Sequence, residues 1–166
     1  MNAEIIAVGS EMLTPYRMDT NSLYLTDQLT QLGVDLIFKS VVGDNLRRLV
    51  GAAQHALFRS DIVIFSGGLG PTEDDLTREA VAEALGLGLR RDEEILSRLE
   101  QRFAERGWKM SPNNAKQADV LDGATVLSNP NGTAPGQWLS GQFDGREHII
   151  LLLPGPPAPR RAYLLP

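Results

Sequence analysis

Cysteine is absent from this 166-residue chain, and aromatic residues are scarce, at 6%. The lack of cysteine excludes disulfides, thiolate metal sites and a cysteine nucleophile, so any metal ion would bind to oxygen or imidazole ligands. The two histidines, His55 and His148, do not have the spacing of a metal-binding pair. No serine has an obvious partnering histidine, which leaves a Ser-His-Asp triad without support.

An excess of positive charge is also missing, because 16 Lys and Arg residues face 21 Asp and Glu residues, a net charge of -5. Nucleic-acid binding requires a basic surface, so a nucleic-acid partner is disfavoured. No apolar run approaches the ~20 residues that span a bilayer, and the chain start lacks the basic segment of a signal peptide. We therefore expect a cytoplasmic protein without a membrane partner.

The length and composition are those of one globular domain. Hydrophobic residues make up 42% of the chain and charged residues 22%, which is well clear of the composition of disordered proteins. A domain holds roughly 150 residues. We therefore expect residues 1–166 to form a single domain.

Short apolar runs alternate with helical patterns along the first half of the chain. Residues 4–8, 34–42 and 61–66 are typical of buried strands, and residues 21–32, 46–57, 76–85 and 92–106 have helical periodicity. This alternation predicts an α/β fold with a mainly parallel sheet and helices on both faces. Further along, Asp144-Gly145 predicts a hairpin turn between residues 137–143 and 148–153.

A glycine-rich loop, Gly67-Gly68-Leu69-Gly70, directly follows the third predicted strand and precedes a helix. An open parallel sheet places its ligand crevice at such a position. Glycines let backbone N–H groups approach an anionic oxygen, and the helix dipole favours phosphate there. The alternative is a tight strand-to-helix turn without a ligand. The loop matches neither a Walker motif nor a dinucleotide-binding fingerprint.

Three aspartates are the candidate metal ligands. Asp74 and Asp75 follow the glycine loop, and Asp44 lies at the end of the second predicted strand, on the same edge of the sheet. Carboxylates beside a phosphate-binding loop would bind a divalent, Mg²⁺-like ion that bridges to phosphate oxygens. Alternatively, the acidic residues 73–75 only complement the positive end of the following helix.

Two further turns, residues 131–136 and 154–157, contain glycine and proline. The second follows an apolar strand and could form one wall of the same crevice. Each turn alone would be interpreted as structural, and their expected convergence at one sheet edge favours a binding role. The apolar residues 162–165 predict a surface that a second copy of the chain covers, hence a homodimer.

Seven segments occur in a characteristic order: AEIIAVGSE (3–11), DTN (19–21), VVGDN (41–45), GGLGPTEDDLT (67–77), SPNN (111–114), NGTAPG (131–136) and LPGPP (153–157). Together they resemble the amino-terminal domain of the CinA family of competence/damage-inducible proteins. Many members of that family also carry a carboxy-terminal nicotinamide-nucleotide amidase domain, which is not expected within residues 1–166. Residues 11–18 (EMLTPYRM) depart from the usual family run, close to Glu-Leu-Leu-Leu-Gly-Gln, so we expect a differently shaped first loop.

The resemblance implies the molybdopterin-binding fold of MogA and MoeA, a three-layer α/β/α sandwich. It also implies a metal-dependent ADP-ribose pyrophosphatase that yields AMP and ribose 5-phosphate, with Asp75 and Asp44 as catalytic residues and Asp44, Asp74 and Asp75 as metal ligands. The implied ligand-binding residues are Gly67, Gly68, Gly70, Thr72, Thr77, Glu11, Asn21, Asn131, Gly132, Thr133 and Gly155. Two alternatives stay open: a pterin- or nucleotide-binding domain without hydrolytic activity, and a dimerisation module of a larger protein.

Overall fold

A computed structural model describes residues 1–155 of the chain. The strands are β1 (Asn2–Val8), β2 (Asp35–Val42), β3 (Ile62–Ser66), β4 (Leu89–Arg91), β5 (Asp119–Leu121), β6 (Thr125–Leu127), β7 (Gly136–Phe143) and β8 (Arg146–Leu153). The helices are α1 (Thr20–Gln31), α2 (Leu46–Arg59), α3 (Thr77–Leu85) and α4 (Glu93–Ala104), with two 3₁₀ helices at Ser10–Leu13 and Pro112–Ala118.

Six strands form the central sheet, in the order β2-β1-β3-β8-β7-β6. The first four are parallel, and β7 and β6 complete the sheet in antiparallel pairing. Strand β3 lies in the middle, and all five of its residues are buried. The sheet therefore confirms the predicted mainly parallel architecture.

Helices cover both faces of the sheet because neighbouring strand residues point to opposite sides. On one face, Ile6 and Phe65 pack in a core cluster with Leu49 of α2 and Val81 of α3. The opposite face packs against α1, which contributes Leu29 to a second cluster of buried residues. The predicted three-layer α/β/α arrangement is confirmed.

The ends of the helices follow from their capping residues. The Asp19 side chain accepts a hydrogen bond from the Ser22 N–H at 3.0 Å, and Asn45 does the same for Arg48 at 3.1 Å. Gly86 ends α3 in the left-handed conformation, with φ of 66°. These residues therefore set the start of α1 and α2 and the end of α3.

The hairpin between β7 and β8 turns at Asp144 and Gly145, whose φ angles are 49° and 78°. Two consecutive positive φ angles define the turn type that matches the twist of paired strands, so the predicted hairpin is confirmed. The short strands β4 and β5 form a separate antiparallel pair that was not predicted. This pair lies beside α4, where Ile95 and Leu99 pack with Val120.

The outer strand β2 is largely exposed, in contrast to the buried strands beside it. Its side chains Ile37, Phe38 and Val41 are all more than a third accessible to solvent. No helix within residues 1–155 has the length and apolar character needed to cross a membrane. Residues 162–165, on which the predicted homodimer rests, lie outside the described residues, and the homodimer stays a prediction.

Candidate functional site

A cleft of 690 Å³ opens at the carboxyl ends of β1, β3 and β8. Two predicted turns meet there, because a Cβ atom added to Gly155 would lie only 3.5 Å from the Cα atom of Gly67. The predicted convergence at one sheet edge is confirmed. Ten predicted site residues line the cleft: Glu11, Asn21, Gly67, Gly68, Gly70, Asp75, Asn131, Gly132, Thr133 and Gly155.

The first two glycines of the loop have backbone conformations that other residues rarely adopt. Gly67 has φ of 106° and Gly68 has φ of 66°. A Cβ atom on Gly67 would overlap the carbonyl oxygen of Val8, and one on Gly68 would overlap Oγ1 of Thr77. Glycine is therefore required at both positions because the loop packs closely against its own scaffold.

Four consecutive carbonyl groups of the loop are held by the first two residues of α3. Thr77 donates from Oγ1 to the Gly67 oxygen at 2.8 Å and from its backbone N–H to the Gly68 oxygen at 3.2 Å. Arg78 then donates from Nη1 to the Leu69 oxygen at 2.9 Å and from Nη2 to the Gly70 oxygen at 3.1 Å. All four carbonyl groups on the side of the loop that faces α3 therefore have a hydrogen-bond donor.

The backbone N–H groups of the loop turn the other way. In a planar trans peptide the C=O group and the following N–H group point in opposite directions. Because Thr77 and Arg78 hold the carbonyls, the N–H groups of Gly68, Leu69 and Gly70 point away from α3. No hydrogen bond within residues 1–155 involves these three donors. Successive free N–H groups of this kind form a binding site for anions.

Arg78 is the side chain on which this arrangement depends, and it is completely buried. Burial lowers the pKa of its guanidinium, while the nearby carboxylates of Glu79, Asp119 and Asp75 act in the opposite direction. Its Nε atom is buried without a hydrogen-bond partner among the described residues. Sequence analysis did not identify this role, because an arginine side chain is rarely fully buried.

Asp75 contacts the glycine loop and stabilises its conformation. Its Oδ2 atom accepts hydrogen bonds from Thr72, at 2.9 Å from the N–H group and 2.6 Å from Oγ1. A Cβ atom on Gly70 would lie 2.5 Å from the same oxygen. Lys116 stabilises the same segment, because its Nζ atom donates a hydrogen bond to the Asp75 carbonyl oxygen at 2.5 Å and forms an ion pair with Glu79 at 3.0 Å.

The alternative interpretation, in which acidic residues 73–75 complement the positive end of α3, stays a prediction, because Asp75 lies next to the N-cap residue Leu76. Helix α3 begins only at Thr77, and the acidic residue in its first turn is Glu79. Asp75 therefore precedes the helix and binds Thr72 within the loop. Thr72 and Thr77 were predicted as ligand-binding residues, but neither lines the cleft. Both instead form hydrogen bonds that stabilise the glycine loop.

The other two aspartates lie away from the cleft lining. Asp44 accepts a hydrogen bond from the Ser10 N–H at 2.7 Å and donates from its own N–H to Ser10 Oγ at 2.9 Å. This reciprocal pair joins the chain segments after β1 and β2. Asp74 is exposed in the turn before α3. The hydrogen bonds between Asp44 and Ser10 therefore hold the loop after β1 in position.

The three predicted metal ligands do not form a cluster. Within residues 1–155, no three aspartate, glutamate or histidine side chains are close enough together to hold a metal ion. This corrects the expectation that Asp44, Asp74 and Asp75 meet at one site. The carboxylates that do line the cleft belong to Glu11 and Asp75. Magnesium commonly binds through one or two carboxylates together with substrate phosphates, and this donor set fits that pattern.

Residues 129–134 supply a further part of the cleft wall. Asn129 shapes this wall by donating from Nδ2 to the Ala134 oxygen at 2.8 Å and accepting from the Asn131 N–H at 3.1 Å. Arg102 of α4 donates to the Gly132 oxygen from behind. The conformation of the predicted turn is therefore set by side-chain hydrogen bonds from Asn129 and Arg102.

Sequence analysis missed four polar residues of the cleft, Arg17, Ser66, Gln117 and Asn129. Gln117 is 1% exposed, donates from Nε2 to Asn114 Oδ1 at 3.2 Å, and has no partner for Oε1 among the described residues. The SPNN motif offered a signal, because Gln117 lies in the 3₁₀ helix that follows Ser111. For Arg17, the signal was the unusual composition of residues 11–18.

Comparison with known families gives one matching domain model, described as "Probable molybdopterin binding domain", over residues 4–164. The CinA-like protein of Koribacter versatilis is 57% identical over 157 residues, and that of Acidobacterium capsulatum is 59% identical over 158 residues. Both matches cover 95% of this chain but 38% of the relative. The chain thus spans well under half the length of these relatives.

Solved structures give a consistent result. CinA from Thermoplasma acidophilum, described as a protein of unknown function, is 35% identical with a TM-score of 0.84, covering 95% of this chain and 90% of that one. The tungsten cofactor synthesizing protein MoaB from Pyrococcus furiosus has a TM-score of 0.58 at 16% identity, covering 93% and 82% of the two chains. At that identity the similarity to MoaB concerns the fold alone.

Proposed function

Because the chain belongs to the molybdopterin-binding domain family that includes CinA, we propose that it binds and hydrolyses ADP-ribose or a similar nucleoside diphosphate sugar. The observation that supports this proposal is the row of N–H groups at Gly68, Leu69 and Gly70, which have no hydrogen-bond partner among residues 1–155 and lie beside the carboxylate of Asp75. The N–H groups would bind phosphate oxygens. The carboxylate would accept a proton from the attacking water molecule.

Binding of the diphosphate follows from the loop geometry. The N–H groups are oriented before any ligand arrives, because Thr77 and Arg78 hold the carbonyl groups on the far side. Preorganised donors lose little free energy to reordering when an anion binds. The buried positive charge of Arg78 behind the loop adds a favourable field for the anion.

Hydrolysis of the diphosphate consumes one water molecule. The water oxygen forms a bond to phosphorus, the bond from that phosphorus to the bridging oxygen breaks, and the products are AMP and ribose 5-phosphate. Asp75 would accept the proton from water on Oδ1, since only its Oδ2 atom takes part in hydrogen bonds within residues 1–155. When bound beside Asp75 or Glu11, a divalent ion would neutralise charge on the phosphates.

A second candidate function is binding of a pterin phosphate without hydrolysis. The absence of a three-carboxylate cluster within residues 1–155 favours this candidate, as does the match to the model described as "Probable molybdopterin binding domain". A pterin phosphate would place the same oxygens on the same N–H groups. The two candidates differ in whether the bound ligand is cleaved.

Product analysis distinguishes the candidates. Purified protein is incubated with ADP-ribose in Mg²⁺ or in EDTA, and AMP is measured by chromatography, while calorimetry follows binding of ADP-ribose and of a pterin phosphate. The proposal expects AMP only with the metal and only with Asp75 intact. Tight pterin binding without AMP formation would favour the second candidate. A protein that binds neither ligand would contradict both.

A further inference from the structure

Three charged side chains line the cleft: Glu11, Arg17 and Asp75. Two of them are negative, so the cleft without Arg17 would present two carboxylates to an incoming diphosphate. Like charges at close range oppose binding, and burial in a cleft strengthens the effect. Without a metal ion, the proposed anion site therefore needs a cation among its lining side chains, and Arg17 is the one that the described lining offers.

Arg17 differs from the arginines that have a structural partner. Arg59 pairs with Glu4 at 2.7 Å, Arg91 with Asp119 at 2.5 Å and Arg146 with Asp61 at 3.5 Å. In contrast, no ion pair or hydrogen bond among residues 1–155 involves the guanidinium of Arg17, although the side chain is half-buried. Its charge is thus available to a ligand.

The backbone around Arg17 is fixed on both sides. The 3₁₀ helix Ser10–Leu13 precedes it, with Ser10 tied to Asp44, and Asp19 caps α1 only two residues later. These anchors hold the segment at the cleft while the long side chain can adjust to a ligand. The segment is also the one whose sequence departs from the usual run of the family.

We infer that Arg17 is a ligand-binding residue whose guanidinium binds the second phosphate of a diphosphate, while the glycine loop binds the first. The inference rests on the proposed anion site and adds which anions that site selects. Guanidinium forms paired, charge-assisted hydrogen bonds with phosphate oxygens. A ligand with two adjacent phosphates can contact both the loop and Arg17, whereas a monophosphate contacts the loop alone. The site therefore selects diphosphates over monophosphates.

Inorganic pyrophosphate and inorganic phosphate test this inference without an organic group that could add other contacts. Calorimetry at low ionic strength, in EDTA, compares the wild-type protein with Arg17→Gln and Arg17→Lys. We expect Arg17→Gln to weaken pyrophosphate binding by about tenfold or more and phosphate binding by less than about threefold. Arg17→Lys, which keeps the charge but not the paired donors, should lie between the two.

Arg47→Gln is the matched control. Arg47 is exposed in the first turn of α2, beyond the same sheet edge, and does not line the cleft. Its removal lowers the net charge equally, so it reports any general electrostatic effect and should change both affinities by less than about twofold.

The possible results separate the inference from the function on which it rests. Equal pyrophosphate affinity in wild-type protein and Arg17→Gln would overturn the inference and leave the anion site standing. An equal loss in Arg47→Gln would also overturn it, because the effect would then be one of net charge. A wild-type protein that binds neither anion would overturn the proposed anion site together with the role of Arg17.

Discussion

The guanidinium of Arg78 donates to the carbonyl oxygen of Gly70, at 3.1 Å, from a completely buried position behind the glycine loop. Gly70 lines the cleft on its other side. The contact therefore couples the buried core of the domain to the surface that we propose binds phosphate. The Arg78 guanidinium therefore fixes the orientation of the loop peptide groups and supplies a positive charge close to the proposed phosphate site.

Replacement of Arg78 by lysine tests this coupling. Lysine keeps the charge but cannot hold the Leu69 and Gly70 carbonyls together, because it lacks the forked donors. One buried carbonyl would lose its partner, so the free energy of unfolding should fall by about 1–3 kcal/mol. Pyrophosphate affinity should fall as well, since the loop N–H groups are no longer held in place. Urea denaturation and calorimetry measure the two effects.

Arg98→Lys is the control for the arginine exchange. Arg98 forms an exposed ion pair with Glu94 on α4, at 3.0 Å, and such pairs contribute at most about 1 kcal/mol. Both stability and pyrophosphate affinity should stay near the wild-type values. Unchanged affinity in Arg78→Lys, with the expected loss of stability, would show that Arg78 supports the fold and not the binding site.

Gly68→Ala and Gly33→Ala form a matched pair. Both glycines have positive φ, 66° and 70°, but an added Cβ atom on Gly33 meets nothing within 4 Å, whereas one on Gly68 overlaps Thr77 Oγ1. Gly33→Ala should lose roughly 1 kcal/mol of stability through backbone strain alone. Gly68→Ala should lose more, and its pyrophosphate affinity should drop because Thr77 must move away from the loop carbonyls. Equal stability of the two variants would contradict the close packing.

Much of this site could be predicted because parallel strands bring their carboxyl ends to one edge. Turns at Gly67 and Gly155 therefore had to meet. The pairing of Asp44 with Ser10 could not be predicted, since it depends on the path of two loops in space. Sequence periodicity also does not show that, of the adjacent residues Asp74 and Asp75, it is Asp75 that lines the cleft. Strands of three residues, such as β4 and β5, are too short to show any periodicity.

Asp75→Asn and Asp74→Asn compare neighbouring aspartates that differ in position. Asparagine at position 75 can still accept a hydrogen bond from Thr72 but cannot take a proton from water or bind a cation well. ADP-ribose hydrolysis should drop by roughly two orders of magnitude or more, the scale of ~3 kcal/mol of transition-state stabilisation. Asp74 is exposed, so Asp74→Asn should keep normal turnover. Equal turnover in both variants, measured as AMP release, would remove Asp75 from the mechanism.

Gln117→Leu is expected to separate stability from binding. The Oε1 atom of Gln117 is buried without a hydrogen-bond partner among the described residues, and the side chain lines the cleft. A buried acceptor without a partner costs about 1–3 kcal/mol, and the hydrogen bond from Nε2 to Asn114 that leucine also removes contributes about 1 kcal/mol, so leucine of similar volume should leave the free energy of unfolding unchanged or raise it.

The same exchange should weaken binding of ADP-ribose, because an acceptor at this position can receive a hydrogen bond from a hydroxyl group of the ligand. Losing one such bond lowers affinity by roughly three- to tenfold. Inorganic pyrophosphate has no carbon-bound hydroxyl group, so its affinity should not change. Calorimetry with both ligands measures the contrast, and thermal unfolding of the same samples supplies the stability. A parallel loss of affinity for both ligands would instead mean that Gln117 supports the glycine loop through its neighbour Lys116.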